Sequence, residues 1–182
     1  MNFLDLQKTR RTWVVAEIGV NHEGNLDVAK DLIAKAAAAG ADAVKFQTFE
    51  VENYISTVQP ERRDRARRFQ LSRDAFRELA GVARANGVLF FSTPLHARDV
   101  DFLNEIAPII KISSGDLTHL ALIQHAASKG KPLILSTGLG TRDEIAAAVG
   151  AAEKGQPGIG KRGALLLMHC VAVYPTEPKD AN

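Results

Sequence analysis

Short apolar runs alternate with longer amphipathic stretches along almost the whole chain. The apolar runs have the length and composition of β-strands and occupy 13–19, 43–48, 88–93, 109–114, 132–138 and 164–171. Between them, the residue pattern predicts helices over 25–40, 74–86, 97–105, 118–129 and 141–153, the first with Asn25 as N-cap and Gly40 at its end. Single helices between strands return the chain in the same direction, so the sheet should be parallel. The pattern therefore predicts an α/β fold.

The predicted strands carry their polar residues at their carboxyl ends. These residues include Glu17, Lys45, Gln47, Ser92, Thr93, Lys111, Ser114, Ser136, Thr137 and His169. A TIM-type (β/α)8 barrel and an open doubly wound sheet both build their active sites at that end. No G-x-G-x-x-G motif follows the first strand, so a dinucleotide-binding sheet has no direct support. The barrel is the favoured architecture.

The number of strands is too small for a closed barrel. The chain has six predicted strands in 182 residues, whereas a closed barrel needs eight strands and typically about 250 residues. We expect residues 1–182 to form a single partial barrel domain that is truncated after the sixth strand. A naturally incomplete barrel is the alternative.

The composition narrows the functional class. Apolar residues make up 46% of the chain and the net charge is +2, so neither nucleic acid nor an anionic membrane is an expected partner. The single cysteine, Cys170, excludes an internal disulfide framework and fits a reducing compartment. No apolar stretch approaches the roughly 20 residues of a membrane span, and the first residues lack the apolar region of a signal peptide. These features predict a cytoplasmic protein.

The longest connection, 49–73, contains the arginine-rich segment ERRDRARR at 61–68. We interpret this segment as a solvated helix with charge pairs three and four residues apart, rather than as a polyanion site. A long connection at the active-site end of a barrel can still form part of a substrate pocket.

Two lysines occupy apolar strands, where an unpaired charge is costly. Because side chains alternate along a strand, Lys45 and Gln47 share one face and their apolar neighbours share the other. Lys111 repeats this arrangement in IIKISSGD. Two inward lysines near one mouth repel each other unless an anion lies between them. The pair therefore favours an anionic ligand, and the alternative is pairing with carboxylates such as Glu17 or Asp116.

Hydroxyl side chains stand at three of the strand ends. They form the pairs Ser92–Thr93, Ser113–Ser114 and Ser136–Thr137, and each pair is followed by proline or glycine. Next to a glycine the backbone can approach a ligand closely, so that N–H and O–H groups converge on phosphate or carboxylate oxygens. Lysines and hydroxyls together predict a small phosphorylated acid as the ligand.

Glu17 ends the first strand, where a carboxylate can act as a general acid or base or can pair with Lys45. The five histidines, including His22, show no metal-ligand spacing. We therefore assign no metal ligand in these residues.

Six segments, in this order, resemble the sialic acid (N-acetylneuraminate) synthase family, which includes the legionaminate and pseudaminate synthases. They are AEIGVNHEGN, GADAVKFQT, FFSTP, KISSGDLTHLALI, GKPLILSTGL and HCVAVYPTEP, over roughly residues 13–180. The resemblance implies a TIM barrel followed by a small antifreeze-like domain, in a domain-swapped homodimer. It also implies a transferase that condenses phosphoenolpyruvate with an N-acetylated hexosamine, such as N-acetylmannosamine, and releases phosphate.

The same resemblance implies roles for individual side chains. The residues implied to bind phosphoenolpyruvate are Lys45, Thr93, Lys111, Ser114 and Ser136. Glu17 would manage protons around the open-chain sugar and the attacking water. Gln47 and Tyr174 would contact the sugar, whereas Ala172 stands where some family members have an asparagine.

A divalent metal, Mn²⁺ or Mg²⁺, is a further implication of the resemblance. Its two histidine ligands lie on strands beyond the sixth in the family, so the ligands are not expected in this chain, and neither is the antifreeze-like domain. We therefore expect little or no synthase activity from these 182 residues alone.

Two alternatives remain open. A Schiff-base aldolase would need a desolvated lysine, typically on the sixth strand, and ALLLMHCV contains none. An inactive barrel fragment would retain at most weak binding of phosphoenolpyruvate.

Overall fold

A computed structural model of the chain describes residues 12–181. The strands are β1 (Val15–Gly19), β2 (Ala43–Thr48), β3 (Leu89–Pro94), β4 (Ile110–Ile112), β5 (Leu133–Ser136) and β6 (Leu165–Met168). The α-helices are α1 (Leu26–Ala38), α2 (Val51–Tyr54), α3 (Pro60–Phe69), α4 (Arg73–Ala85), α5 (Ala97–Ile106), α6 (Leu120–Ala127) and α7 (Arg142–Gly155). Two 3-10 helices span Ser114–Asp116 and Pro178–Asp180. The elements follow the predicted α/β order, with α2 as an additional short helix.

Residues 12–108 and 109–181 form two compact units. In the first unit, β1, β2 and β3 are parallel and lie in chain order. Glu17 is the register partner of Lys45, and Gln47 is the register partner of Thr93. The register therefore brings the predicted polar residues of three strands to one edge of this sheet.

An aromatic core covers one face of β2 and β3. The fully buried Phe46 lies 5.6 Å from Phe90 and 6.3 Å from Phe76 of α4, measured between ring centroids. Phe76 is in turn 6.4 Å from Phe102 of α5. Because side chains alternate along a strand, burial of Phe46 under the helices turns Lys45 to the opposite face, as the sequence predicted.

In the second unit, β4, β5 and β6 are likewise parallel and in chain order. Lys111 is the register partner of Ile134, and Ser136 that of Met168. Helices α6 and α7 cross closely at Gly155, where a Cβ atom would lie 2.2 Å from the Gln124 carbonyl oxygen. This crossing fixes α7 against α6 behind the strands.

The predicted helix ends are confirmed for α1. The Asn25 side chain accepts hydrogen bonds from the backbone N–H groups of Asp27 and Val28, at 2.9 and 3.2 Å. Gly40 follows the helix with φ +87°, a conformation that favours glycine. These contacts satisfy backbone groups that a helix end would otherwise leave without partners.

The arginine-rich segment forms α3, which buries none of its residues. Arg67 pairs with Asp64 three residues earlier and with Glu52 of α2, each at 3.0 Å. Arg63 also contacts Glu52 and donates to the carbonyl oxygen of Ile55. The solvated helix with internal charge pairs is therefore confirmed. Over residues 12–181, no helix is long and apolar enough to cross a membrane.

Candidate active site

In the first unit, an ion pair joins the carboxyl ends of β1 and β2. Lys45 Nζ lies 2.6 Å from Glu17 Oε2, and the two side chains are 16% and 50% exposed. Lys45 also donates to Thr93 Oγ1 at 3.3 Å. The ammonium is thus held between a carboxylate and a hydroxyl on its two neighbouring strands, and the pairing of Lys45 with Glu17 considered from the sequence is observed.

A bulge in β1 places the Glu17 carboxylate. Glu17 pairs with Lys45 and Gly19 pairs with Phe46, so β1 has one extra residue between two consecutive residues of β2. Gly19 has φ +56°, and a Cβ there would lie 3.0 Å from Glu17 Oε1 and 3.8 Å from Gln47 Nε2. Glu17 and Gln47 therefore leave little room for a side chain at residue 19. The name Lys45 cluster is used below for Glu17, Lys45, Gln47 and Thr93.

In the second unit, Lys111 is buried to 5% exposure. Its ammonium donates to Ser136 Oγ and to the carbonyl oxygen of Ile112, both at 2.6 Å. Short bonds from a charged donor compensate the desolvation that burial imposes on the ammonium. The structure thus joins two of the predicted phosphoenolpyruvate ligands, Lys111 and Ser136, in direct contact.

Ser114 meets the turn that follows β5. Its hydroxyl accepts a hydrogen bond from the Gly138 N–H at 3.0 Å. A Cβ at Gly138 would lie 2.9 Å from this hydroxyl and 3.3 Å from Cys170 Cβ, so a glycine is required for the close approach. Lys111, Ser114 and Ser136 are named the Lys111 cluster below.

The remaining hydroxyls of the three predicted pairs have other partners. Ser92 lies on the helix-covered face, where its hydroxyl and that of Thr48 are 2.7 Å apart. Ser113 donates to the Asp116 carboxylate at 2.6 Å, and Thr137 donates to the Met168 carbonyl oxygen at 2.8 Å. The hydroxyls that contact a lysine are therefore Thr93 and Ser136.

Tyr174, predicted on the sugar side, follows β6 and is 97% exposed. Gln47, the other predicted sugar contact, belongs to the Lys45 cluster. The structure thus brings Gln47 next to the other site residues of its own unit and leaves the Tyr174 ring in solvent.

His22, in the loop after β1, is a buried residue without a role predicted from the sequence, and it is only 2% exposed. The available signal was its place between Gly19 and Gly24, two glycines with positive φ. A polar side chain inside so tight a turn is hydrogen-bonded to the backbone more often than solvated.

A buried acid, Asp99, lies in the first turn of α5. Asp99 is 1% exposed, and burial raises its carboxyl pKa to about 7, with a further rise from Glu50. Arg73 and the backbone amides of Leu95 and His96 oppose this pKa shift. Arg73 itself pairs with Glu50 at 2.9 Å, which ties together the two ends of the connection that contains α2 and α3.

A resident metal would need several close oxygen, nitrogen or sulfur ligands. Within residues 12–181, no group of three or more His, Cys, Asp or Glu side chains is arranged to hold a metal ion. The described side chains therefore do not fit the divalent metal that the resemblance implied.

Comparison with known proteins decides the family. Residues 32–182 match the model of the NeuB family. The chain belongs to the NeuB family. It is 36% identical to N,N'-diacetyllegionaminic acid synthase of Campylobacter jejuni, over 95% of this chain and 55% of that protein. It is 31% identical to human N-acetylneuraminate-9-phosphate synthase, over 93% of this chain and 49% of that protein.

These relatives confirm the resemblance to sialic and legionaminic acid synthases, and the NeuB chain spans about half of their length. A similar structure is that of a sialic acid synthetase from Leptospira borgpetersenii in complex with citrate, with TM-score 0.86 and 32% identity. The match covers 95% of this chain and 59% of the synthetase chain. A 3-deoxy-D-arabino-heptulosonate 7-phosphate synthase from Thermotoga maritima matches with TM-score 0.61 at 15% identity, which shows the fold alone. The fold class of this NeuB chain is the TIM-type barrel, of which it contains six strands.

Proposed function

We propose that this chain provides the phosphoenolpyruvate-binding part of a nonulosonic acid synthase. The substrates would be phosphoenolpyruvate and an N-acetylated hexosamine such as N-acetylmannosamine. The observation that carries the proposal is that two lysines, Lys45 and Lys111, each lie in a parallel strand and each donate to a hydroxyl. Family membership and the synthases among the relatives support phosphoenolpyruvate as the anion.

Ammonium and hydroxyl donors match the chemistry of phosphoenolpyruvate, which carries a phosphate and a carboxylate. Lys45 with Thr93 and Lys111 with Ser136 can each bind anionic oxygens, while the N–H of Gly138 keeps Ser114 in place. Fixing a charged end of phosphoenolpyruvate orients its enol carbon, and orientation of this kind can supply much of the rate enhancement. The similar synthetase crystallised with citrate is a relative that binds a carboxylate anion.

The proposed reaction forms one carbon–carbon bond. The enol carbon of phosphoenolpyruvate attacks the aldehyde carbon of the open-chain sugar, and the aldehyde oxygen takes up a proton. The phosphate-bearing carbon becomes an oxocarbenium ion, to which water adds with loss of a proton. Cleavage of its bond to the phosphate oxygen then releases inorganic phosphate and leaves the keto group of the product.

Glu17 is the group that we assign to the proton transfers. Its carboxylate is half-exposed and adjoins Gln47, the residue assigned to the sugar. The carboxylate lies 2.6 Å from the Lys45 ammonium, and a carboxylate in this place can accept a proton from the attacking water. Tyr174 remains a proposed sugar contact.

Titration calorimetry of the purified chain with phosphoenolpyruvate tests the binding step. We expect binding by the native chain, a loss of at least about tenfold in affinity for Lys45→Met and for Lys111→Met, and no change for Lys35→Met. Lys35 is the matched control because its 72%-exposed side chain pairs with Asp31 on the outer helix α1. Circular dichroism of each variant separates loss of binding from loss of folding. Native affinity in both site variants would overturn the assignment.

The same protein distinguishes the competing aldolase function. Treatment with pyruvate and borohydride would leave a covalent adduct on Lys45 or Lys111 if either lysine formed a Schiff base. We expect no adduct, because Lys111 donates to two oxygens as an ammonium and contributes a positive charge to the site rather than a nucleophile. A phosphate-release assay with N-acetylmannosamine and Mn²⁺ then measures how much synthase activity these residues retain alone.

A further inference from the structure

His22 lies in the loop that joins β1 to α1 and is almost completely enclosed. The side chain is 2% exposed, and its ring centroid lies 5.9 Å from that of the fully buried Phe46. The sheet register places Phe46 directly after Lys45, opposite Gly19. The imidazole therefore packs behind the Lys45 cluster rather than inside it.

The hydrogen bond to Nδ1 of His22 defines the tautomer of the neutral ring. The Gly24 N–H donates to Nδ1 at 3.0 Å, so Nδ1 carries no proton and the neutral ring is protonated at Nε2. Burial lowers the pKa of His22, and the Gly19 backbone acts in the opposite direction with a smaller effect. The charged side chains on the loop and its neighbouring elements include Glu23 of the loop, Glu17 of β1, Lys45 of β2 and Asp27 of α1. The last turns of α3 add Arg65, Arg67 and Arg68.

The backbone around His22 is tightly turned. Gly19, Glu23 and Gly24 have φ of +56°, +51° and +79°, a region that side chains with a Cβ rarely adopt. The loop closes through bonds from Glu23 N–H to the Val20 carbonyl oxygen and from Asn25 N–H to that of His22. Such a conformation persists only when surrounding contacts hold it. The ring of His22 provides one of these contacts, from inside the loop.

One end of the loop determines where the Glu17 carboxylate can lie. A Cβ at Gly19 would lie 3.0 Å from Glu17 Oε1 and 3.8 Å from Gln47 Nε2. A small movement of Gly19 therefore changes the space available to the two groups assigned to proton transfer and to the sugar.

The other end of the loop supports α3. A Cβ at Gly24 would lie 2.0 Å from the Arg68 carbonyl oxygen, so backbone packs directly on backbone at this point. Arg68 belongs to the last turn of α3, and this helix is longer than α2, the other helix of the connection after β2. Movement of Gly24 would therefore displace the end of that helix.

We propose that neutral His22 is a positioning residue that holds Glu17 and the end of α3 in one fixed relation. It does so because its ring fills the loop and its Nδ1 binds the Gly24 N–H, while Gly19 and Gly24 contact the two parts of the site. This proposal rests on the proposed function, in which Glu17 carries out the proton transfers next to Gln47. Protonation of Nδ1 would set two N–H donors against each other and release the loop.

Two variants separate the hydrogen bond of His22 from its packing. His22→Asn keeps an acceptor, Oδ1, within reach of the Gly24 N–H and cannot be protonated. His22→Leu fills the loop without an acceptor. Both are compared with the native chain by NMR from pH 5 to pH 8, using the ring nitrogen shifts of His22, the Glu17 side-chain carboxyl carbon, and the exchange protection factors of amides 24 and 66–70.

In the native chain we expect the Nε2–H tautomer at pH 7. Protection factors of the Gly24 amide and of the α3 end should fall at least about tenfold as His22 is protonated, at a pH below its usual 6.5. The Glu17 carbon should show an inflection at the same pH. His22→Asn should retain protection and lose the inflection, whereas His22→Leu should lack protection at every pH.

Three results would overturn the proposal. They are the Nδ1–H tautomer at pH 7, native-like protection in His22→Leu at every pH, and the same Glu17 inflection in His22→Asn as in the native chain. If His22→Leu does not fold, the comparison of the native chain with His22→Asn still decides. Because none of these measurements uses a substrate, failure of the phosphoenolpyruvate titration would refute the proposed function separately.

Discussion

Lys45 Nζ lies 2.6 Å from Glu17 Oε2, on the neighbouring parallel strand. The carboxylate occupies part of the space around the ammonium that an anionic ligand would need, and its charge repels that ligand. We therefore predict that Glu17→Gln binds phosphoenolpyruvate about threefold to tenfold more tightly than the native chain. Titration calorimetry measures the affinity, with Glu61→Gln on exposed α3 as the control. Weaker binding by Glu17→Gln would show that Glu17 supports the anion site.

Ser136→Ala tests the support of Lys111. The variant removes an acceptor 2.6 Å from an ammonium that is 5% exposed, so we expect the free energy of unfolding to fall by about 1.5–3 kcal/mol. Ser128→Ala removes an exposed hydroxyl that donates to the His125 carbonyl oxygen and should cost less than about 0.5 kcal/mol. Urea unfolding of both variants measures the difference. Equal losses would mean that Lys111 does not depend on Ser136.

Two glycines of α7 form a matched pair for the helix crossing. Gly155→Ala places a Cβ 2.2 Å from the Gln124 carbonyl oxygen and 2.8 Å from Ala127 Cβ, and we expect it to destabilise the chain by about 1–3 kcal/mol. Gly150→Ala meets no atom within 4 Å and should stabilise by about 0.5–1 kcal/mol through helix propensity. Thermal unfolding should move the two midpoints in opposite directions, and a higher midpoint for Gly155→Ala would refute the close crossing.

Asp99 predicts a specific pH dependence of stability. Its carboxyl pKa is raised from 3.8 to about 7 in the folded chain, so between these values the folded chain holds a proton that the unfolded chain has released. The free energy of unfolding must therefore fall as pH rises across this interval, by at most about 1.4 kcal/mol per pH unit.

Asp99→Asn should remove this contribution because an amide stays neutral at every pH. The difference in free energy of unfolding between Asp99→Asn and the native chain should grow in favour of the variant from pH 5 to pH 7 and stay constant above about pH 8. Asp143→Asn, an exposed acid at the start of α7, is the control. A difference that does not change with pH would contradict the raised pKa of Asp99.

Local sequence patterns predicted the order of elements and the direction of the Lys45 side chain. Periodicity was sufficient because burial of Phe46 under the helices leaves Lys45 only the other face of β2. The N-cap of Asn25 was equally readable, since a side-chain oxygen before a helix satisfies nearby N–H groups. The predicted strand 164–171 is shorter in the structure, as β6 ends at Met168.

Contacts between distant residues were not readable from these patterns. The same local signal placed Ser92 and Thr93 together as hydroxyl donors, yet Ser92 bonds Thr48 on the helix side and Thr93 bonds Lys45. The bulge that brings Glu17 to Lys45 depends on the pairing of β1 with β2. The role proposed for His22 depends on a loop folding back on itself.

The ion pair between Glu50 and Arg73 gives the stretch between these residues the character of an exchangeable module. Its two ends meet at 2.9 Å, next to strands whose register does not involve the intervening residues. Lengthening a loop whose ends are already joined adds little entropic cost, about 0.6 kcal/mol for each doubling. Evolution can therefore vary the length and charge of this stretch while the strands that hold Lys45 and Thr93 keep their pairing.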